Sequence, residues 1–245
     1  MLTSDYSKDK EGIEAIRRGI ELGMTVIDTA EAYGNGHTEE LVGEAIKDFN
    51  REDLFIITKV LPEHAKYEDV IKSAKNSMKR LGTYIDLYLL HWPSNYPLSE
   101  TMKAFEKLVD DGVIGYFGLS NFDVNSIEEA RNYLSKYDIV AVENKYSLID
   151  RKNQDVLEYA KREGMLFLPY TPLEHGKFAN DKFLEEIGKK YNKTPIQVAL
   201  NWYICIDNVI PIPKAGNIKH VEENSGAMGW RLDKEDWDKI NNHYI

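Results

Sequence analysis

Four side chains that could together protonate an oxygen atom stand close behind the first three apolar segments of the chain. They are Asp28, Tyr33, Lys59 and His91. A phenol has a pKa near ~10, and a lysine beside it lowers that pKa because the ammonium favours the phenolate. A carboxylate compensates a buried ammonium, and a neutral histidine can donate a hydrogen bond to a carbonyl oxygen. The set therefore predicts a general acid that faces an oxygen gaining negative charge.

This chemistry lacks one reactant. None of the four side chains is an obvious nucleophile, and the chain shows no His/Cys spacing typical of a metal site. Protonating the oxygen of a carbonyl group is useful only if its carbon receives a hydride. A nicotinamide cofactor supplies a hydride, so we expect an oxidoreductase.

Composition excludes several other classes of function. The chain has 245 residues, with 31 Lys and Arg against 41 Asp and Glu and a net charge of -10. Such a balance argues against nucleic acid and anionic membranes as partners. The polar N-terminus does not resemble a signal peptide, and no apolar run approaches the ~20 residues of a membrane span. Cys205 is the single cysteine, which favours a reducing, cytoplasmic location.

Seven short apolar runs alternate with longer segments of helical spacing along the whole chain. Strand–helix alternation predicts a parallel sheet, and this number of units at this length favours an α/β (β/α)₈ TIM-type barrel. No linker divides the chain, so residues 1–245 are predicted to form one domain. The predicted strands are residues 24–29, 54–60, 85–90, 114–119, 139–142, 165–170 and 209–212.

Polar or aromatic side chains stand at or just behind the end of every predicted strand. Active sites of parallel barrels lie at the carboxyl ends of the strands, so we expect these side chains to meet. Taken alone, each also has a structural interpretation, such as a turn for Asp28 or a solvated charge for Lys59. Their coincidence on successive strands favours function. The strand-end residues are Asp28, Lys59, His91, Ser120, Asn121, Glu143, Tyr170 and Lys214.

Motifs at these positions resemble the aldo-keto reductase superfamily, particularly its prokaryotic members, over nearly the whole chain. The resemblance implies the barrel fold and NADPH-dependent reduction of aldehydes or ketones. It also implies that Asp28, Tyr33, Lys59 and His91 form a catalytic tetrad. The motifs are Asp28-Thr29-Ala30 with Tyr33-Gly34-Asn35, Ile57-Thr58-Lys59, Leu90-His91-Trp92-Pro93, Gly118-Leu119-Ser120-Asn121-Phe122, Tyr170-Thr171-Pro172-Leu173, Ile212-Pro213-Lys214-Ala215 and His220-Val221-Glu222-Glu223-Asn224.

The same resemblance implies a cofactor site and a substrate wall. His91 and Trp92 would contact the substrate. Ser120, Asn121 and Glu143 would hold the nicotinamide carboxamide, and Tyr170 would stack on its ring. The remaining cofactor contacts are implied for Thr171 and Leu173, for Lys214, Ala215 and His220 at the 2′-phosphate, and for Glu223 and Asn224 at the adenine.

Three positions depart from the family pattern. Glu143 stands where a glutamine is usual, and an ionised carboxylate can accept from the carboxamide but cannot donate to it. Ala215 replaces a common serine and His220 a common arginine. Because histidine is only partly charged at neutral pH whereas arginine is always charged, NADH remains an alternative cofactor.

The first barrel strand of the family has no counterpart that we can find. Only polar residues precede the helix at Ile13, so seven barrel strands are predicted and the N-terminal hairpin and first strand are missing. An unclosed barrel would leave two apolar edges unpaired. We hypothesise that the sequence is N-terminally incomplete, which the intact mass of the native protein would test.

Two other functions remain open at this stage. A non-catalytic nucleotide-binding homologue could have a regulatory or partner-binding role, and an unrelated barrel enzyme such as a phosphate-binding isomerase could share the strand pattern. The physiological carbonyl substrate is not encoded in the fold. For the oligomeric state we expect a monomer or a small homo-oligomer.

Overall fold

The computed structural model describes residues 6–244, without the side chain of Tyr6. Six strands form one parallel sheet in which every strand pairs with its neighbour in the chain. Because all six run the same way, their carboxyl ends lie at one edge of the sheet. The strands are β1 (Val26–Asp28), β2 (Phe55–Val60), β3 (Ile85–Leu90), β4 (Ile114–Ser120), β5 (Ala141–Lys145) and β6 (Leu166–Tyr170).

A seventh segment, residues 209–212, continues the sheet beyond β6. Val209 bridges Phe167 and Ile212 bridges Tyr170, both in parallel orientation. Six of the seven predicted strands are thus present in order, and the seventh predicted segment forms two isolated bridges in the expected place. The bridge at Tyr170 brings the chain that follows Ile212 to the same edge as the other strand ends.

Helices follow the strands and cover the outer face of the sheet. The inner face carries a small separate apolar cluster that includes Ile57, Leu89 and Leu168. Burial on both faces explains why the strands are nearly continuous apolar runs. Ten α-helices occur in the described residues: α1 (Asp9–Glu21), α2 (His37–Ile46), α3 (Tyr67–Leu81), α4 (Leu98–Asp110), α5 (Val124–Asn132), α6 (Gln154–Arg162), α7 (Lys182–Tyr191), α8 (Pro195–Ile204), α9 (Ile218–Ser225) and α10 (Lys234–His243).

The fifth strand differs from its prediction. Residues 139–142 were expected, whereas β5 spans Ala141–Lys145 and includes the polar residues Glu143 and Asn144. Both side chains are buried and have polar partners, which satisfies them inside the strand. An apolar pattern cannot reveal a strand whose inward side chains are polar.

The first described strand, β1, ends at Asp28. In residues 6–244, β1 pairs with β2 alone. The hypothesis of a missing first strand stays a prediction. None of the helices in the described part of the chain is both long and apolar enough to cross a membrane.

Gly118 allows the close contact of the central strands, so Gly118→Ala should destabilise the protein. A Cβ there would lie 2.2 Å from the carbonyl oxygen of Ala141 and 2.8 Å from a methyl group of Leu89. We expect a loss of about 1–3 kcal/mol in the free energy of unfolding, measured by urea titration. Gly19→Ala in helix α1 is the control, because a Cβ at position 19 would lie no closer than 3.6 Å to any neighbouring atom. Equal unfolding midpoints for wild type and Gly118→Ala would contradict the packing.

Candidate active site

The ammonium group of Lys59 lies at the centre of the polar cluster at the carboxyl ends of the strands. Its side chain has 0% exposure. Nζ lies 2.5 Å from Asp28 Oδ1 and 3.0 Å from the carbonyl oxygen of Thr29. Glu143 Oε1 lies 3.3 Å away on the other side. Lys59 therefore joins β1, β2 and β5 through one buried charge.

Lys59 stays charged in spite of its burial. Burial alone would lower the pKa of the ammonium, but the negative charges of Asp28 and Glu143 outweigh it and raise that pKa above its usual value. A buried ammonium is tolerated only when such partners compensate its lost hydration. Asp28, the nearer partner, thus helps to preserve a positive charge where Tyr33 needs it.

A tight turn rich in glycine and asparagine holds Tyr33 beside Lys59. The N–H of Tyr33 donates to Ala30 O at 3.0 Å. Gly34, Asn35 and Gly36 follow with φ of 60, 53 and 91°. Asparagine and glycine adopt this left-handed region more readily than other residues. Lys59 Nζ lies 5.5 Å from the centre of the Tyr33 ring.

The pKa of Tyr33 differs from the expectation that Lys59 lowers it overall. Burial raises the pKa of Tyr33 to about 12, and Lys59 does lower it, but Asp28 and Glu143 oppose Lys59. The phenol is therefore fully protonated at neutral pH before any ligand binds. The net direction is opposite to the prediction because burial of the phenol, the largest effect, outweighs the effect of Lys59.

His91 is a neutral imidazole next to the phenol. Burial, assisted by the charge of Lys59, lowers the pKa of His91 to about 4. The ring centre lies 5.7 Å from that of Tyr33 and 4.6 Å from that of Trp92. Nδ1 of His91 is buried and has no hydrogen-bond partner within the described residues. The neutral ring keeps one N–H group, which can donate a hydrogen bond to a carbonyl oxygen.

Ser120, Asn121 and Tyr170 form a hydrogen-bonded row beside the tetrad. Tyr170 Oη donates to Asn121 Oδ1 at 2.7 Å. The amide nitrogen of Asn121 donates to the carbonyl oxygen of His91 at 2.9 Å and to Ser120 Oγ at 3.1 Å. Asn121 has φ of +64°, a strained conformation that asparagine tolerates. The structure thus brings these three predicted cofactor residues to the four predicted catalytic ones.

Asn144 positions this row and was missed in the sequence. Its Oδ1 accepts from the backbone N–H of Asn121 at 2.8 Å and of Phe122 at 3.2 Å. Its amide donates to Phe122 O at 2.8 Å. Its place directly after Glu143 was the only sequence signal. The position of an asparagine in the sequence does not distinguish a side chain that fixes a loop from one that is exposed at the surface.

The remaining predicted cofactor residues lie on two segments after β6 and after residue 212. Thr171 has φ of +56° and, like Leu173, is partly exposed. Lys214 is exposed and Ala215 is half-buried. His220 lies in the first turn of α9, where its N–H donates to Asn217 Oδ1 at 2.9 Å. Glu223 accepts from Thr194 Oγ1 at 3.1 Å, and Asn224 is buried.

Trp92 lies beside His91 and is partly exposed, and its role as a substrate wall stays a prediction. It is 37% exposed and contacts the imidazole of His91. In residues 6–244 no group of three His, Cys, Asp or Glu side chains could hold a metal ion. The side chains that meet at the site are a protonated phenol, a neutral imidazole and a compensated ammonium.

The titration of His91 provides a direct check of this site. We expect its NMR titration midpoint at about 4 rather than at 6.5, with His91→Gln used to assign the signal. Because the folded pKa is depressed, the folded state binds fewer protons than the unfolded state between these values. The contribution of His91 to stability is thus present above pH 6.5 and is lost as pH falls towards 4. A midpoint close to 6.5 would contradict the buried, neutral ring.

Comparisons with known proteins show which family the chain is related to. The chain matches the model of the Aldo/keto reductase family over residues 1–245. It is 36% identical to methylglyoxal reductase YeaE of Escherichia coli, with 91% of this chain and 81% of that protein covered. It is also 36% identical to glyoxal reductase of Bacillus subtilis, with coverage of 94% and 82%.

Solved structures show the same fold. A thermostable aldo-keto reductase, Tm1743, in complex with the inhibitor epalrestat has a TM-score of 0.92 at 43% identity, covering 99% of this chain and 90% of that one. An aldo/keto reductase from Klebsiella pneumoniae in complex with NADP and acetate has a TM-score of 0.92 at 32% identity, covering 99% and 88%. The described strands are thus part of a (β/α)₈ barrel, and the chain belongs to the aldo/keto reductase family of oxidoreductases.

Proposed function

We propose that this chain reduces aldehydes or ketones to alcohols with NADPH, and that Tyr33 is the general acid. The observation that carries the proposal is the placement of the Tyr33 ring between a buried ammonium and a neutral imidazole. A site built for hydrolysis would need a nucleophile or an activated water, and this cluster offers a proton donor instead.

Each residue of the cluster has a separate task. His91, being neutral, donates a hydrogen bond that orients the carbonyl oxygen. Tyr33 holds its proton until the oxygen gains negative charge, because an alkoxide is a stronger base than the phenolate. Lys59 stabilises the phenolate that is left, and Asp28 keeps Lys59 in place.

The residues that would hold a nicotinamide cofactor fit one. Asn121 and Ser120 present an amide and a hydroxyl beside the tetrad, and Tyr170 offers a partly exposed ring. Glu143 Oε2 is buried and has no hydrogen-bond partner in the described part of the chain, so it could pair with a carboxamide. When bound, the reduced cofactor supplies the hydride. Family structures from Klebsiella pneumoniae in complex with NADP and with NADPH support this choice.

Small dicarbonyl compounds are the substrate class that we favour. Two relatives at 36% identity are named methylglyoxal reductase and glyoxal reductase. In this chain Trp92 contacts His91 at the mouth and provides an apolar wall. No observation favours a purely nucleotide-binding role. A cytoplasmic location and a monomeric or small homo-oligomeric state stay predictions.

Replacement of Tyr33 by phenylalanine removes the proposed acid without emptying the site. We expect kcat for methylglyoxal to fall by about three orders of magnitude or more, since general acid catalysis contributes typically 10²–10⁴-fold. The measurement is the loss of NADPH absorbance. Tryptophan fluorescence quenching by NADPH should be retained, which separates loss of chemistry from loss of binding. A variant that turns over at nearly the wild-type rate would refute the role of Tyr33.

Lys214 should favour NADPH over NADH by binding the 2′-phosphate of the cofactor. A charge-assisted hydrogen bond to phosphate contributes about 1.5–3 kcal/mol, so Lys214→Met should raise KM for NADPH about tenfold or more and leave KM for NADH nearly unchanged. Steady-state kinetics with both cofactors give the two values. Lys219→Met, an exposed lysine in the next helix, is the matched control. Equal losses with NADPH and NADH in Lys214→Met would contradict the assignment.

A further inference from the structure

Glu143 is a buried acid at the centre of the site that the proposed reaction does not use for proton transfer. It lies in β5, opposite Ser120 of β4 and Leu168 of β6. Its side chain is 3% exposed, with Oε1 at 3.3 Å from Lys59 Nζ. Oε2 is buried and accepts no hydrogen bond from the described residues. A charged oxygen buried without a donor is costly, which indicates that this carboxyl is not ionised.

The charges around Glu143 lead to the same conclusion. The titratable groups that face it are Asp28 from β1, Tyr33 from the following turn, Lys59 from β2 and Tyr170 from β6. Lys59 is the one cation of this set, and Asp28 is its nearer partner, at 2.5 Å against 3.3 Å for Glu143. If both acids were ionised, two negative charges would share one positive charge without solvent. One proton retained by the pair makes the buried cluster neutral.

We propose that Glu143 is a positioning residue that keeps its proton at neutral pH and shares it with Asp28, so that the cluster around Lys59 carries no net charge while Tyr33 acts. Burial first, and the negative charge of Asp28 second, raise the pKa of Glu143 to about 8, against the opposing effect of Lys59. The part of this inference that concerns Tyr33 rests on the proposed function. The part that concerns the proton does not.

The proton on Glu143 has two consequences for the site. A neutral carboxyl has one oxygen that accepts a hydrogen bond and one that donates. In this respect it resembles the amide of glutamine, which also has an acceptor and a donor. Loss of the proton leaves a net negative cluster beside Tyr33, which raises the pKa of the phenol and makes it a weaker acid. Carbonyl reduction should therefore fall once Glu143 ionises, well before Tyr33 itself loses its proton.

The proton can be detected without any cofactor, by comparing unfolding of wild type and Glu143→Gln at several pH values. A raised folded pKa means that the folded state binds one more proton than the unfolded chain between pH about 5 and 8. Its stabilising effect is full at low pH and is lost as pH rises through the folded value. The unfolding constant of wild type divided by that of Glu143→Gln should thus rise about tenfold per pH unit in this window.

A further variant makes this result specific. In the Asp28→Asn variant, Glu143 is the one acid left to balance Lys59, so Glu143 should ionise. The unfolding constant of Asp28→Asn divided by that of the variant carrying both Asp28→Asn and Glu143→Gln should then not change with pH in this window. A wild-type to Glu143→Gln ratio that is constant with pH would overturn the proposal, since a merely structural role shifts stability equally at every pH.

The pH profile of kcat/KM for methylglyoxal tests the link to Tyr33. We expect a descending limb near pH 8 in wild type and its displacement to higher pH in Glu143→Gln. Identical limbs in the two proteins would overturn the link. If no carbonyl is reduced at any pH, the proposed function fails while the unfolding experiment still decides whether Glu143 holds a proton.

Discussion

An ammonium group with no exposed surface lies between two carboxylates where three strands of the sheet end. Asp28, its nearer partner, compensates for the water it has lost, and Glu143 contacts it from the other side. Removing Asp28 changes the charge that Tyr33 experiences, and removing Lys59 leaves two buried acids without a cation. The geometry of the site and its stability therefore depend on the same interaction.

The parallel sheet makes this arrangement possible. Neighbouring strands in register place Lys59 of β2 beside Leu89 of β3, and Ser120 of β4 beside Glu143 of β5. Their carboxyl ends deliver side chains from distant parts of the sequence to one edge. The loops then use unusual backbone conformations to complete the site, with positive φ at Asn35 and Asn121. The charged groups thus lie on the sheet, whereas the positions of Tyr33 and of the Asn121 amide depend on turns with strained backbone conformations.

Much of this could be predicted from the sequence. The seven apolar runs correspond to six strands and one bridged segment, and the residues behind the first three runs converge as expected. Periodicity reports burial, however, and does not report which charges meet inside. The contact of Glu143 with Lys59 joins residues far apart in the chain, and the pKa of Tyr33 is raised mainly by its burial in the folded site. Asn144 was missed for the same reason, because its partners Asn121 and Phe122 lie on another strand end.

The central claim is that Lys59 acts on the reaction through Tyr33. A double-mutant cycle on the single-turnover rate of hydride transfer tests this directly, with Tyr33→Phe, Lys59→Met and the variant carrying both changes. If Lys59 acts through the phenol, the combined variant will be about as slow as Tyr33→Phe alone, because nothing remains for the ammonium to assist. Losses that multiply in the combined variant would show that the two residues act independently and would contradict the account.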